Sequence, residues 1–379
     1  MKRDNILFLL TFWSMWFYNY SARTIFSPIL PSIETDLRIS HGRAGGIFAF
    51  VFIGYGLGLV LAGSLVRWFS PRKLLIFGHA ALILFLGLFS LGRSYGFLAP
   101  VCLLLGFGAG IYLPCVIPLL AERFSSDNWA KIMGLHGTGP PISLLTVPLI
   151  AALLLRAASW RYLTLLFSLL GILLLPTLIR FTKTPSASPP PAKPDYWSLL
   201  RDKRIWGLAI LLGIASSANI GIYAIVPLFL VNERGFTPIG ANQLLGFSRV
   251  AGVVAPFIGG VLADRIGYTR TLISIMVLSG VFTVLMAVTQ TETVLAVSLL
   301  LQTSTIIGFF SVCLALVSRT VRPVNRGPAV ALTSVSGAIF MAATPWILGT
   351  IADYLSFSCG IVAIGLMLLF SPLLLGVFR

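Results

Sequence analysis

Apolar runs of about twenty residues follow one another along this chain, parted by short polar breaks, and that alternation constrains the fold more than any single motif. A helix rises 1.5 Å per residue, so roughly twenty apolar residues are needed to cross a ~30 Å hydrocarbon core. Charged residues make up only 10% of the chain and hydrophobic ones 57%, whereas a soluble domain carries roughly a quarter charged. The runs predict twelve spans, at 6–30, 44–66, 74–92, 97–120, 132–157, 160–180, 206–232, 240–263, 271–290, 293–317, 328–351 and 356–377. The expected class is an all-α polytopic membrane protein.

The longest polar break, RFTKTPSASPPPAKPDYWSLLRDKR at 180–204, is rich in Pro, Ser and Lys and too poor in apolar residues to form a core. It predicts an N-terminal six-helix bundle at 1–180, a cytoplasmic linker at 181–205 and a C-terminal six-helix bundle at 206–379. The halves repeat. GSLVRWFSPRKLL after the second span corresponds to GGVLADRIGYTRTL after the eighth at an offset of 197, an offset shared by Pro148 and Pro345. Duplicated halves with a site at their interface near the bilayer midplane are a transporter architecture.

Of the 27 Lys and Arg residues, nineteen fall in breaks on the side of the N-terminus and six on the other side. The positive-inside rule then places both termini in the cytoplasm. Bases confined to inter-span breaks also explain the net charge of +16 without nucleic acid as a partner. Lys2-Arg3 followed by ILFLLTFWSMWF resembles the start of a signal peptide, but no small-residue cleavage site follows, so it is expected to stay as the first span.

Two bases, Arg23 and Arg249, lie within spans. A charge near the bilayer centre costs at least ~2.5–3.5 kcal/mol. Arg249 sits nine residues into the eighth span, ~14 Å deep, beyond comfortable snorkelling. It is expected to face a cavity as an anion site, the competing reading being a packing arginine satisfied by backbone carbonyls. Arg23 shares one helical face with Trp16, Tyr20 and Ser27 at i, i+4, i+7 and i+11 spacing, a face suited to a water-accessible cavity. His136 in the fifth span is a candidate to bind substrate or carry a proton near neutral pH, set against simple hydrogen-bonded packing. Tyr112 and Tyr223 fall near mid-span and are candidate cavity residues, whereas His79 is read as packing and His41 as a loop residue. Cys102, Cys115, Cys313 and Cys359 fall inside spans without metal-ligand spacing and are read as packing residues. All eleven acids sit at termini, loops or span ends, so no carboxylate is available at mid-membrane to pair with either arginine. An anionic substrate is then the natural counter-ion. No P-loop, Ser/His/Asp pattern or zinc spacing occurs, so neither ATP-driven transport nor catalysis is expected, and no cofactor or metal.

Gly260-x-x-x-Asp264-Arg265-x-Gly267-x-x-Arg270 follows the eighth span, GFGAGIYLPCVIPLLAERF (106–124) forms the fourth, and SWRYL (159–163) opens the sixth. In a two-half, twelve-span frame these residues resemble the major facilitator superfamily over essentially the whole chain. The resemblance implies two pseudo-symmetric bundles and a gating role for Gly260, Asp264, Arg265, Gly267 and Arg270. Asp264 would stand at the cytoplasmic end of the eighth helix beside the N-terminus of the fifth, where a carboxylate meets the positive end of the helix dipole. In the first half Arg67 replaces the family's Asp, Trp68 its Arg and Ser70 its Gly. The latch is therefore not carried over to Arg67, which is expected to repel Arg326 at the start of the eleventh helix.

The first span resembles that of the organophosphate:phosphate antiporters, which have an aromatic residue, a tyrosine and an arginine at the spacing of Trp16, Tyr20 and Arg23. That branch also has a histidine where GLHGTG places His136. Its second clamp arginine, in the seventh span, is replaced in ANIGIYAIVP by Asn219, which leaves Arg249 on the neighbouring helix to supply the second charge. Similar arginines recur in monocarboxylate and acidic-sugar branches. The function expected is secondary active transport of a small organic anion, a carboxylate or phosphate ester, by alternating access, through proton symport or anion exchange. Arg23 and Arg249 are expected to grip one anion, one from each half. The alternatives are an efflux pump for a neutral or amphipathic compound, with structural arginines, and a non-transporting membrane receptor. The chain is expected to act as a monomer in the lipid bilayer of a bacterial inner membrane, with protons or a counter-anion as its other partner.

Overall fold

A computed structural model describes residues 3–66, 68–124, 128–182, 196–322 and 325–374, and every regular element among them is a helix. The chain divides into two compact units, Met1–Ile39 with Gly46–Pro189, and Ser40–Gly45 with Pro190–Arg379. The first unit contains α1 (Arg3–Thr24), α2 (Phe26–Leu37), most of α3 (His41–Leu65), and α4 (Pro71–Ser90). It continues with α5 (Tyr95–Gly110), α6 (Tyr112–Arg123), α7 (Trp129–His136), α8 (Gly139–Leu154) and α9 (Trp160–Phe181). The second unit contains α10 (Tyr196–Arg201), α11 (Lys203–Ser216), a π-helical turn (Ser217–Gly221), α12 (Ile222–Arg234) and α13 (Pro238–Phe247). A 3-10 stretch (Val250–Val253) leads to α14 (Ala255–Ile266), followed by α15 (Tyr268–Val288), α16 (Glu292–Thr320), α17 (Arg326–Tyr354) and α18 (Phe357–Phe370).

Among the described residues nine helices are long and apolar enough to cross a membrane, and the pair Pro238–Val253 and Ala255–Ile266, bent by 41°, makes a tenth. The remaining two of the twelve expected spans are also helical, for different reasons outside that group. α1 is diluted by Trp13, Trp16, Tyr18, Asn19, Tyr20, Ser21 and Arg23, and α18 has only 14 residues.

Proline decides where helices break. A proline lacks an N–H and clashes with the carbonyl four residues earlier. Pro28 accounts for the interruption at Ile25, Pro114 for that at Ile111, and Pro140 and Pro141 for that between α7 and α8. Serine and threonine set several starts: Ser70, Ser94, Ser159, Thr237 and Ser356 each accept a hydrogen bond from a first-turn amide.

Two sequence boundaries shift. The expected linker is not wholly irregular, because α10 forms within it: Leu199 is 3% exposed, and Trp206 Nε1 donates to the Leu200 carbonyl at 2.8 Å. Residues 183–195 of that linker lie outside the described residues. Ser40–Gly45 joins the second unit because Asp353 accepts from His41 N at 2.8 Å and Gly42 N at 2.9 Å, satisfying the start of α3.

The 197-residue repeat reappears as geometry. Asp36, on the last turn of α2, accepts from Arg161 Nη1 at 2.6 Å and Trp160 Nε1 at 3.2 Å. Glu233, 197 positions later in α12, accepts from the backbone amides of Phe357 and Ser358 and from Ser358 Oγ. In each unit a carboxylate at the end of the first span therefore clasps the start of the sixth. The helices beneath those carboxylates end alike, with Arg38 at φ 50° and Gly235 at φ 68° in the left-handed region.

Glycine sets the spacing that positions the site of the first unit. A Cβ on Gly54 would stand 1.9 Å from the Leu103 carbonyl oxygen, and one on Gly106 would stand 1.9 Å from that of Val51. Gly58 and Gly110 make the same approach one turn on, so α3 and α5 meet backbone to backbone.

Gly106→Ala is expected to destabilise the protein by ~1–3 kcal/mol, the scale of overpacking, because neither backbone can yield. Gly96→Ala meets nothing within 4 Å and is the control. Thermal unfolding in detergent checks this, and equal melting of the two variants would refute it. Asp36→Asn tests the clasp. The hydrogen bond from Arg161 holds the Asp36 carboxyl below the usual carboxylate range, aided by Trp160. Its stabilisation is present above the unfolded-state pKa and lost as pH falls through the folded one. The partners are partly exposed, so ~0.2–1 kcal/mol is expected at pH 7, vanishing in acid; a loss unchanged at low pH would count against the ion pair.

Candidate functional site

The first unit gathers Trp16, Tyr20, Arg23, Tyr112 and His136. Arg23 lies in the last turn of α1, just before the break that Pro28 imposes, and is only 3% exposed. Its guanidinium carbon stands 4.2 Å from the Tyr55 ring centroid, 4.6 Å from Tyr20, 5.6 Å from Trp16 and 6.0 Å from Phe52. Rings around a buried cation offset part of its desolvation through their negative faces. They do not take up its N–H groups. Nε and Nη2 are buried without a hydrogen-bond partner among the described residues.

Trp16 continues the cluster. Its ring lies nearly parallel to Tyr112, with centroids 5.2 Å apart, and to His136, at 5.8 Å. Tyr112 OH donates to the Phe12 carbonyl at 2.6 Å and lies 3.1 Å from His136 Nε2. Tyr112 opens α6 after the Pro114 break, and His136 closes α7 before Pro140, so both side chains project where regular helix stops. Spacing along one helix does not reveal Phe52 and Tyr55, which come from α3. The signal was the flanking pair Gly54 and Gly58, marking a helix brought into close contact. His79 has a polar partner after all: its Nε2 lies 2.9 Å from the Gly171 carbonyl, in keeping with a packing role. Cys359 is exposed, whereas the other three cysteines are buried.

The second unit gathers Asn219, Tyr223 and Arg249. Among the membrane-length helices of the described residues, the seventh span is the most enclosed, 94% of its apolar window being buried against 33% for α9. Its π-helical turn disrupts the ordinary carbonyl pairing, and polar side chains meet the backbone there. Arg249 Nη2 donates to the Asn219 carbonyl at 3.2 Å, Nη1 to Asn219 Oδ1 at 2.8 Å, and Gln302 Nε2 to the Ala218 carbonyl at 3.0 Å. The guanidinium also lies 4.8 Å from the Tyr223 ring centroid. On the eighth span, Arg249 precedes the 3-10 stretch, where Thr303 Oγ1 donates to the Ser248 carbonyl.

Arg249, expected to face a cavity, is instead 0% exposed and holds a carbonyl and a side-chain amide of its own unit. Protein oxygens there take up its Nη1 and Nη2. Among the described residues no group of His, Cys, Asp or Glu is arranged to hold a metal.

The loop motif is built on a turn that needs glycine: Gly267 has φ 92° and ψ 148°. Asp264 accepts from Tyr268 OH at 3.2 Å, and Arg319 stands 4.3 Å from the Tyr268 ring centroid, joining α14, α15 and α16. Arg265 and Arg270 are exposed. A Cβ on Gly260 would meet nothing within 4 Å, whereas one on Gly259 would approach the Gly308 carbonyl to 3.0 Å, so the tight helix contact belongs to Gly259. Arg67 lies outside the described residues.

Two helical units of apolar, membrane-length spans, broken at prolines and carrying buried arginines near the breaks, define a polytopic membrane protein. The chain belongs to the Major Facilitator Superfamily, whose sequence model matches residues 12–255 and 243–379. It is 30% identical over 169 residues to the multidrug efflux pump SdrM of Staphylococcus aureus, a match covering 43% of this chain and 36% of that protein. It is 22% identical over 265 residues to the hexuronate transporter of Bacillus subtilis, covering 67% of this chain and 63% of that one. The matched region thus spans less than two thirds of either relative. Among solved structures, an inward-facing, unoccupied bacterial homologue of the human lysosomal transporter Spinster superposes with a TM-score of 0.84 at 13% identity, covering 100% of this chain and 97% of that one.

The Asn219–Arg249 contact can be tested without a substrate. Asn219→Leu removes one acceptor from a buried cation and is expected to cost ~1.5–3 kcal/mol in detergent unfolding. The double variant Asn219→Leu/Arg249→Met removes both charge and partner, and should lose less than the sum of the two single changes. Additive losses would show that the two side chains do not act as a pair.

Proposed function

We propose that this transporter carries a small organic anion, a carboxylate or phosphate ester, by alternating access. The carrying observation is Arg23: 3% exposed, boxed by four aromatic rings, with Nε and Nη2 buried and unpartnered among the described residues. The first span has no carboxylate beyond Asp4 at its start, so an anion entering from solution is the natural acceptor for those N–H groups. Trp16 and Tyr20 flank the guanidinium, and Tyr112 and His136 stack on Trp16 beyond it. Arg249, held by Asn219 and beside the Tyr223 ring, is a second buried cation, within the second unit. His136 or a counter-anion provides coupling, giving proton symport or anion exchange. Asp264, with Gly260, Arg265, Gly267 and Arg270, belongs to the cytoplasmic gate. The protein works as a monomer in a bacterial inner membrane with both termini cytoplasmic. A hexuronate is itself an organic carboxylate, so the Bacillus relative supports this reading.

The second reading, efflux of a neutral or amphipathic compound, is favoured by the local likeness to SdrM. Calorimetry on purified protein separates the two, using a panel of monocarboxylates, hexuronates and phosphate esters. Wild type is expected to bind one class of anion, Arg23→Ala to bind it ~1.5–3 kcal/mol more weakly, and Arg23→Lys to recover only part, because lysine lacks the guanidinium fork. A folded Arg23→Ala protein with wild-type affinity, or a wild type that binds none of the panel, would overturn the anion reading.

A further inference from the structure

Tyr112 has one hydroxyl proton and two neighbours. One is the Phe12 carbonyl at 2.6 Å, which can only accept; the other is His136 Nε2 at 3.1 Å, which can accept or donate. If the phenol proton were turned toward His136, two lone-pair oxygens would face each other at the shorter of these distances, with no hydrogen between them. The proton therefore belongs on the Phe12 side, and Nε2 must carry a hydrogen to complete the contact. Tyr112 is 7% exposed and His136 1%, so a mismatched polar contact there is not relieved by bulk water.

We infer that Tyr112 is a positioning residue that fixes the neutral His136 ring as its Nε2–H tautomer, leaving Nδ1 as the atom that takes up a proton. A backbone carbonyl is a dependable anchor for such a device, since no side-chain substitution at position 12 removes it. The ring is also held in plane: Trp16, Tyr112 and His136 lie within 6° of parallel, so the imidazole has one orientation as well as one tautomer. Among the described residues, the titratable and charged groups near it are Tyr112 on α6 and, across Trp16, Tyr20 and Arg23 on α1; Lys131 on its own helix is exposed. No proton in this arrangement passes through Tyr112. It donates to Phe12 throughout, and the proton taken up at Nδ1 comes from water or from the protonated substrate. A histidine of fixed tautomer exchanges protons at one atom only, which is what coupling proton movement to one side of a site requires. This rests on the reading of His136 as the coupling group of an anion transporter, but the tautomer itself does not.

The test is nitrogen NMR on the full chain in lipid nanodiscs with 15N-labelled histidine. There are three histidines, His41, His79 and His136, so subtraction of the His136→Gln spectrum assigns the signal of interest. At neutral pH wild type is expected to show His136 with a protonated Nε2 and a bare Nδ1. Tyr112→Phe keeps the ring against Trp16 and removes the hydroxyl, so the tautomers should mix to comparable populations. A wild-type His136 protonated at Nδ1, or at both nitrogens, would overturn the assignment even if Tyr112→Phe did not fold. So would an unchanged tautomer in a folded Tyr112→Phe protein. If the tautomer is as expected but calorimetry finds no anion bound by wild type, the functional reading fails while the role of Tyr112 stands.

Discussion

A backbone that leaves the regular helical ladder inside a membrane must find other hydrogen-bond partners, because hydrocarbon offers none. The breaks in this protein are met by specific side chains. Asn19 Nδ2 donates to the Ala109 carbonyl at 3.0 Å near the interruption of the fourth span, and Arg249 and Gln302 serve the π-helical turn of the seventh. Thr303 serves the eighth at Ser248. Polar residues in these spans are thus partly a consequence of the breaks, and the breaks follow largely from Pro28, Pro114, Pro140, Pro141 and Pro256.

The two buried arginines then separate by chemistry. Arg249 is held by amide and carbonyl oxygens, which are good acceptors for a guanidinium, and it binds the seventh span to the eighth where both are deformed. Arg23 is held by ring faces, which attract charge but accept hydrogen bonds poorly, and two of its nitrogens lack protein acceptors among the described residues. One arginine has protein acceptors for both terminal nitrogens, Nη1 and Nη2. The other keeps Nε and Nη2 without a partner among the described residues, which is what the anion proposal rests on.

The repeat shows how duplicated sequence diverges at fixed geometry. Ser159 and Ser356 both cap a sixth span, and Asp36 and Glu233 both clasp it, yet the first clasp uses an indole and a guanidinium and the second uses backbone amides. At the same offset of 197, Phe52 beside Arg23 corresponds to Arg249, so the cation has moved from the first span of one half to the second span of the other. The site residues differ while the supporting turns remain.

The sequence by itself determined the helical class, the spans, the six-plus-six repeat and the polar stripe of Trp16, Tyr20 and Arg23, because hydrophobic length and helical period are local properties. Proline positions were equally legible. The tertiary structure decided which residues surround Arg23: Phe52 and Tyr55 arrive from α3 only because Gly54, Gly58, Gly106 and Gly110 let two helices meet backbone to backbone. It decided that Tyr112 and His136 share a hydrogen bond across two breaks, and that Arg249 ends on Asn219 rather than in a cavity. Those outcomes depend on long-range packing and on which carbonyls a broken helix leaves available, and neither is encoded in the spacing of residues along a single span.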